Sequence, residues 1–196
     1  MLKTLVFMDS DIKQKIRTYY IHGYLSTPNS RKGILFKERL GVIPIKYREC
    51  EPEKLVISDC LEKIISEIKN NEEIILIGSS FGGFLSLLVA KKLNKVKKLI
   101  LLNPSIIPPQ IDIKKIKNMP QRILKDMKDI RLFNKKLNSE IFIILGSEDT
   151  IVPNSWSIEF AKSQEANILF LKDDHSFSKN LNKLPLIINN YLDKKN

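Results

Sequence analysis

Cysteine and histidine are scarce in this chain of 196 residues, and their scarcity excludes several kinds of site. Cys50 and Cys60 are too few for a disulfide framework, and neither belongs to a CxxC pair or to a Cys/His cluster with metal-ligand spacing. We therefore expect both thiols to be reduced, and we expect no metal and no cofactor. Any chemistry that needs an imidazole must use His22 or His175, because the chain has no third histidine.

A long hydrophobic run is also missing from the start of the chain. The opening segment MLKTLVFMDSD has only four consecutive apolar residues before Asp9. This run is far too short for a signal peptide or a membrane-spanning helix, so we expect a cytoplasmic protein with no transmembrane segment. No internal repeat and no low-complexity tract is present, which excludes repeat architectures.

Acidic residues are outnumbered by basic ones, and the formal net charge is +11. Most of the 33 basic residues are lysines, which are spread along the chain and mixed with 22 acids. Because no arginine-rich or aromatic-interleaved stretch is present, we expect solvated lysines and no nucleic-acid partner. The alternative is a nucleic-acid-associated protein, whose binding would depend steeply on salt.

Short apolar runs alternate with helical patterns, which predicts an α/β protein. Several runs, such as EEIILIG, KKLILLN and EIFIILG, are apolar on both faces, as is typical of strands inside a parallel sheet. With 43% apolar residues, one domain over residues 1–196 can bury a sizeable core. The predicted strands are 3–8, 15–21, 42–46, 73–78, 96–102, 140–146 and 167–172, and the predicted helices are 30–40, 53–70, 81–94, 153–164 and 181–192.

In a doubly wound sheet of this kind, function lies at the carboxyl ends of the strands. Polar residues follow five of the predicted strands directly or within a short loop, and they are the first candidates for a site. These residues are His22, Ser80, Asn103, Asp149 and Asp173.

The segment IILIGSSFGGF places the pattern G-x-S-x-G, from Gly78 to Gly82, between a buried strand and a buried helix. A serine on such a sharp turn has a strained backbone, and the two glycines let neighbouring backbone pass. We therefore predict that Ser80 is a nucleophile and that the Phe81 N–H faces developing negative charge. The alternative is a glycine-rich bend that binds phosphate or only packs, although no P-loop lysine follows.

A serine hydroxyl needs a base, and imidazole is the usual one. His175 follows the last predicted strand in the segment LFLKDDHSFS, where it could reach Ser80. His22 comes too early for the chain order of serine, then acid, then histidine. His175 is therefore the predicted base.

The acid that orients this imidazole is expected after the preceding strand, in the segment IFIILGSEDTIVP. Asp149 is favoured, because the turn before it and the proline-started helix after it put it on the loop that faces the sheet edge. Its rivals are Glu148, which is expected to point elsewhere, and Asp173 and Asp174, which are expected to form a solvated turn.

The segment HGY supplies a candidate for the second oxyanion donor, which usually comes from the loop after the first central strand. Gly23 permits a sharp turn, after which the Tyr24 N–H could lie beside that of Phe81. We expect His22 to support this loop by a hydrogen bond to its backbone, and so to be part of the scaffold. A buried histidine with its hydrogen bonds satisfied is the alternative, and it also excludes a catalytic role.

Taken together, these motifs resemble the small YqiA-like esterases of the α/β-hydrolase superfamily. The resemblance rests on IHGYLSTPNSRK, IGSSFGGF, LLNPSIIPP, GSEDTIVP and DDHSF, which occur in the family's order from about residue 17 to the end. It implies the α/β-hydrolase fold, with a three-layer α/β/α arrangement around a mostly parallel sheet. It also implies a serine esterase or thioesterase in which Ser80 is the nucleophile, Asp149 the acid and His175 the base.

The chain departs from this family in a strand-like segment before residue 17 and in the basic stretch between Pro109 and Ser139. The expected substrate is a small-molecule ester or acyl thioester. An acyltransferase that uses the same serine is an alternative, as is a binding protein that has the fold without turnover.

Residues 104–138 lie where this fold inserts a cap over the site, and we expect a small cap segment there. Four apolar residues in this stretch have helical spacing, namely Ile123, Leu124, Met127 and Ile130, while Arg122, Lys125, Lys128 and Arg131 occupy other faces. If the apolar residues cover an acyl pocket, the basic ones should rim its mouth and favour anionic substrates such as acyl-CoA thioesters. A surface helix with solvated lysines explains the pattern equally well.

Overall fold

The computed structural model describes residues 16–193, and the predicted strand 3–8 lies outside this range. The strands in this range are β1 (Arg17–Ile21), β2 (Ile43–Ile45), β3 (Ile74–Ser79), β4 (Val96–Leu102), β5 (Glu140–Gly146) and β6 (Asn167–Leu171). These six strands form one parallel sheet in the order β2-β1-β3-β4-β5-β6. The prediction of an α/β fold around a parallel sheet is thus confirmed.

Helices follow the strands, as the sequence pattern predicts. They are α1 (Arg31–Leu40), α2 (Ile57–Ile68), α3 (Phe81–Lys92), α4 (Gln121–Met127), α5 (Arg131–Asn134), α6 (Asn154–Gln164) and α7 (Leu184–Leu192). α2 begins four residues later than predicted, because Pro52–Lys54 forms a separate 3-10 turn. Likewise Leu181–Lys183 forms a 3-10 turn before α7.

The sheet has an apolar core on each face, because successive side chains of a strand point to opposite sides. Leu99 and Leu101 of β4 pack on the side of α2 and α3, whereas Ile100 packs on the side of α1 and α7. The three layers that result match the predicted α/β/α arrangement. All six strands point the same way, so the loops after β1, β3, β4, β5 and β6 meet at one edge of the sheet.

Candidate active site

The turn between β3 and α3 holds Ser80 in a backbone conformation that L-residues rarely adopt, with φ of 54° and ψ of −121°. Two glycines make this turn sterically possible. A Cβ atom on Gly78 would lie 2.5 Å from Ser86 Oγ, and one on Gly82 would collide with the carbonyl oxygens of Ile21 and His22. The turn therefore has the geometry of a nucleophile elbow, which raises a serine above the sheet edge.

His175 and Asp149 lie next to each other on the loops after β6 and β5. His175 Nδ1 is 2.7 Å from Asp149 Oδ2, and the Asp149 side chain is only 1% exposed. The other carboxylate oxygen accepts hydrogen bonds from the backbone N–H groups of Ile151 and Val152, at 2.8 and 3.1 Å. These bonds orient the carboxylate toward the imidazole. Glu148 points outward and forms an ion pair with Lys179.

Asp173 differs from its expected place in a solvated turn, because its side chain is completely buried. It accepts hydrogen bonds from the N–H groups of Asp174, Lys179 and Asn180 and from the Asn180 side chain, at 2.7–3.1 Å. Burial alone would raise the pKa of Asp173, but these hydrogen bonds lower it below its ordinary value. The carboxylate thus fixes the loop that carries His175.

Asn103, at the end of β4, is a second buried support for that loop. Its amide nitrogen donates to the carbonyl groups of Asp174 and His175, at 3.2 and 3.0 Å, and its Oδ1 accepts from the Gly146 N–H at 2.7 Å. The residue has φ of 42°, which asparagine tolerates better than most residues. Sequence reasoning found its position past a strand end but not its contacts.

No hydrogen bond joins Ser80 to His175, although both side chains line the same cavity. Ser80 Oγ is instead 3.1 Å from Ser105 Oγ, and the Ser105 N–H donates to the Ser80 carbonyl at 3.1 Å. In this structure the Ser80 hydroxyl is therefore paired with Ser105 and not with the imidazole. Sequence reasoning missed Ser105, whose motif LLNPS gives no spacing rule that connects it to the elbow.

The loop after β1 passes directly over the elbow. A Cβ atom on Gly23 would lie 3.4 Å from Ser80 Cβ. The backbone of this loop therefore comes close to Ser80 at a residue that has no side chain. Within residues 16–193, neither the Tyr24 N–H nor the Phe81 N–H has a hydrogen-bond acceptor. The rings of these two residues are in edge contact, with centroids 5.9 Å apart.

His22 lies behind this loop and is 1% exposed. Its Nδ1 is 2.9 Å from the Gly23 carbonyl, which also accepts a hydrogen bond from the Tyr47 hydroxyl, and its ring stacks on Tyr47 at 4.3 Å. Burial lowers the pKa of His22 to about 4, so the ring is neutral at pH 7 and Nδ1–H donates to Gly23. Among the described residues, the wall of the cavity includes His175 but not His22.

A cavity of about 610 Å³ opens above Ser80, and its wall has two unlike sides. On the apolar side the lining residues Ile107, Leu124 and Met127 belong to the core beside α2 and α3, and Ile116, Met119 and Trp156 pack against that core. On the polar side the lining includes Tyr20, which belongs to the core beside α1 and α7, and Ser30, Arg31 and Lys32 at the start of α1. The cavity is large enough for a small-molecule substrate.

The stretch 104–138 contributes part of the apolar side, because Leu124 and Met127 of α4 line the cavity. Ile130 was expected to belong to the same apolar face, but α4 ends at Met127 and Ile130 is 55% exposed. The apolar face is therefore shorter than the spacing predicts.

The four basic residues that were expected to rim the cavity do not line it, so that expectation is wrong for Arg122, Lys125, Lys128 and Arg131. Arg122 donates to the carbonyl groups of Glu53 and Leu55, Lys128 donates to that of Ile111, and Arg131 forms an ion pair with Asp129. These side chains attach the segment to its surroundings. The basic residues that do line the cavity are Arg31, Lys32 and Lys117.

Residues 16–193 contain neither a group of side chains that could hold a metal ion nor a membrane-spanning helix. No group of three or more His, Cys, Asp and Glu side chains there is arranged to hold a metal ion. No helix in that range is long and apolar enough to cross a membrane.

Solved structures with the same architecture are numerous. The esterase Est1E of Butyrivibrio proteoclasticus, with ferulic acid bound, superposes with a TM-score of 0.75 at 17% identity, covering 94% of this chain and 90% of that one. Mouse alpha/beta hydrolase domain-containing protein 10 gives 0.70 at 19% identity, covering 92% and 90%. The monoacylglycerol lipase of Paleococcus ferrophilus gives 0.69 at 14% identity, covering 89% and 93%. This chain therefore has the α/β-hydrolase fold.

A family model that matches most of the sequence shows the family of this chain. The model of an uncharacterised protein family, UPF0227, matches residues 17–191, and the chain belongs to this family. The resemblance to YqiA-like esterases is thereby confirmed. A comparison with curated proteins gives no match.

Proposed function

We propose that this protein is a serine hydrolase that cleaves carboxylic esters or acyl thioesters through an acyl-serine intermediate. One observation supports this most strongly. A serine on a strained elbow and a histidine bonded to a buried aspartate face the same cavity, although they come from three loops that are far apart in the sequence. Such a constellation is recognised by geometry and roles rather than by sequence position.

In the proposed first step, the Ser80 side chain turns from Ser105 toward His175 Nε2. The imidazole takes the hydroxyl proton while Oγ attacks the acyl carbonyl, and the Asp149 carboxylate stabilises the imidazolium that forms. The C–O or C–S bond then breaks, and His175 gives its proton to the leaving alkoxide or thiolate.

The free N–H groups of Phe81 and Tyr24 are the proposed oxyanion hole. Both are without an intramolecular acceptor, and the Phe81 N–H stands at the N-terminus of α3, where the helix dipole also favours negative charge. Gly23 brings the Tyr24 backbone close to Ser80, and His22 holds that loop from behind.

Water completes the proposed cycle. His175 takes a proton from a water molecule, which attacks the acyl-serine, and the acid product leaves as Ser80 regains its proton. The apolar side of the cavity suits an acyl chain, and we propose that residues 104–138 act as a cap over it within a single domain. The chain's own side chains supply each proton transfer, so the proposal calls for neither metal nor cofactor.

The proposal is tested by turnover of 4-nitrophenyl esters and acyl thioesters of graded chain length. Ser80→Ala should lower kcat by several orders of magnitude with the fold intact, because the nucleophile is lost. Ser79→Ala is the matched control, since its hydroxyl also lines the cavity, and it should retain most activity. Unchanged turnover in a folded Ser80→Ala protein would overturn the proposal.

A further inference from the structure

Lys32, in the first turn of α1, lies on the polar side of the cavity without a counter-ion. Its ammonium group forms no ion pair and no hydrogen bond with any residue in 16–193, and it lies 5.7 Å from the centre of the Phe177 ring. The two acids whose charges act on Lys32 are Asp174 and Asp173, and both already accept hydrogen bonds from backbone N–H groups of their own loop.

The start of α1, which carries this lysine, lies close to the elbow. The hydroxyl group of Tyr20 interacts with those of both Ser30 and Ser79, and Ser79 precedes the proposed nucleophile directly. Ser30 caps α1, with its Oγ 3.3 Å from the Gly33 N–H, and Lys32 follows it by two residues. Lys32 and Ser80 line the same cavity.

An ammonium group that has lost water without gaining a partner is costly to the folded protein. Burial lowers the pKa of Lys32 to about 8, with Asp174 opposing this and Arg31 adding to it. At pH 7 the group is still mostly charged, and although Asp174 and Asp173 attract it, no side chain in residues 16–193 forms an ion pair with it. A negatively charged group on a ligand would replace the water that the Lys32 ammonium loses when the protein folds.

We propose that Lys32 binds an anionic group of the substrate, and that the protein prefers esters with a carboxylate or phosphate near the scissile bond. This inference rests on the proposed hydrolase function and names the substrate class. Ser26, Ser30 and Ser176 also line the cavity, and their hydroxyl groups can donate to the anion's oxygens. The apolar side of the cavity then receives the uncharged part of the ester.

The test uses pairs of esters that differ only in one charge. 4-Nitrophenyl hydrogen glutarate is compared with its methyl ester, which places the charge on the acyl part. 4-Butyryloxybenzoate is compared with its methyl ester, which places the charge on the alcohol part, and 4-butyryloxyphenyl phosphate separates phosphate from carboxylate. The native protein should have a higher kcat/KM for the charged member of at least one pair.

Lys32→Met removes the charge but keeps an apolar stem on the Phe177 ring. We expect it to lower the charged-to-neutral ratio of kcat/KM about tenfold or more, the usual effect of losing a hydrogen bond to a charged group. Lys37→Met is the matched control, because Lys37 is exposed on the same helix and does not line the cavity. It should leave the ratio unchanged.

Binding without turnover separates this inference from the proposed function. Ser80→Ala is titrated with monomethyl glutarate by calorimetry, and heat of binding that is lost in the Ser80→Ala/Lys32→Met double variant supports the anion site. Equal ratios in the native and Lys32→Met proteins, or binding that survives in the double variant, would overturn the inference. Turnover of neutral esters by the native protein tests the proposed hydrolase function by itself. Failure of the anion site and failure of the proposed function therefore give different results.

Discussion

At the scale of single residues, the two histidines have opposite surroundings. His175 is partly exposed, contacts a carboxylate and lines the cavity, whereas His22 is buried between a carbonyl group and an aromatic ring. An imidazole that exchanges protons with a substrate must line the cavity that the substrate enters, and of the two histidines only His175 does so. These surroundings support the proposed roles of His175 as the base and of His22 as a support for the loop after β1.

The buried His22 predicts a specific loss of stability in acid. Its pKa is about 4 in the folded protein against 6.5 ordinarily, so between these values the unfolded chain binds the proton more readily. Stability from this group is complete above pH 6.5 and falls as the pH drops toward 4. Between pH 7 and pH 5, the native protein should lose about 2 kcal/mol more than a variant without the imidazole.

The measurement is denaturant unfolding at both pH values, with His22→Asn as the comparison. Asparagine can donate to the Gly23 carbonyl but does not titrate in this range. If both proteins lost the same free energy on acidification, the assignment of a neutral buried imidazole would be wrong.

At the scale of elements, the loop after β6 depends on its buried supports. Asn103→Asp keeps the acceptor for the Gly146 N–H but loses the donor to the carbonyl groups of residues 174 and 175. The loop should then move relative to Ser80, and a displacement of about 1 Å can cost about 100-fold in rate. We expect a fall in kcat with faster amide exchange in 174–180.

Asn71→Asp is the matched control for this prediction. Asn71 also donates from its amide, to Tyr19 OH at 2.8 Å, but it stands before β3, at the other end of the sheet. It should leave kcat unchanged. Native kcat and exchange in the Asn103→Asp protein would show that Asn103 does not position the loop.

Helix α4 gives a prediction about acyl-chain length. Leu124 lines the cavity, whereas its buried neighbour Ile123 does not, so the two side chains separate a pocket effect from a stability effect. Both Leu124→Ala and Ile123→Ala should destabilise the protein by about 2–5 kcal/mol. Only Leu124→Ala should shift the preferred chain length of 4-nitrophenyl esters upward, measured at low temperature on folded protein. Identical profiles for the two variants would argue against a cap over the acyl pocket.

At the scale of the whole molecule, the strands and the elbow could be predicted from sequence because their causes are local. Apolar runs such as IILIG predict buried parallel strands, and the elbow is visible in five consecutive residues from Gly78 to Gly82, although Gly82 also makes room for the carbonyl groups of Ile21 and His22. The positions of Asp149 and His175 after successive strands are enough to predict them as site residues, because parallel strands bring their carboxyl ends to one edge of the sheet.

The remaining contacts could not be predicted, because they join loops that lie far apart in the sequence. Asn103 contacts residue 175, Ser105 contacts Ser80, and Lys32 shares a cavity with His175, and no periodicity encodes these pairs. The prediction of a solvated turn at Asp173 is wrong, because the loop folds around its carboxylate even though the neighbouring residues are polar.

The proposed mechanism of the whole molecule requires that Ser80 Oγ be the atom that is acylated. Treatment with a fluorophosphonate probe, followed by mass mapping of peptides, tests this directly because the adduct is covalent. We predict one adduct at Ser80, absent in Ser80→Ala, present in Ser79→Ala and strongly slowed in His175→Ala. An adduct at Ser79 or Ser105, or equal labelling of the Ser80→Ala protein, would contradict the account.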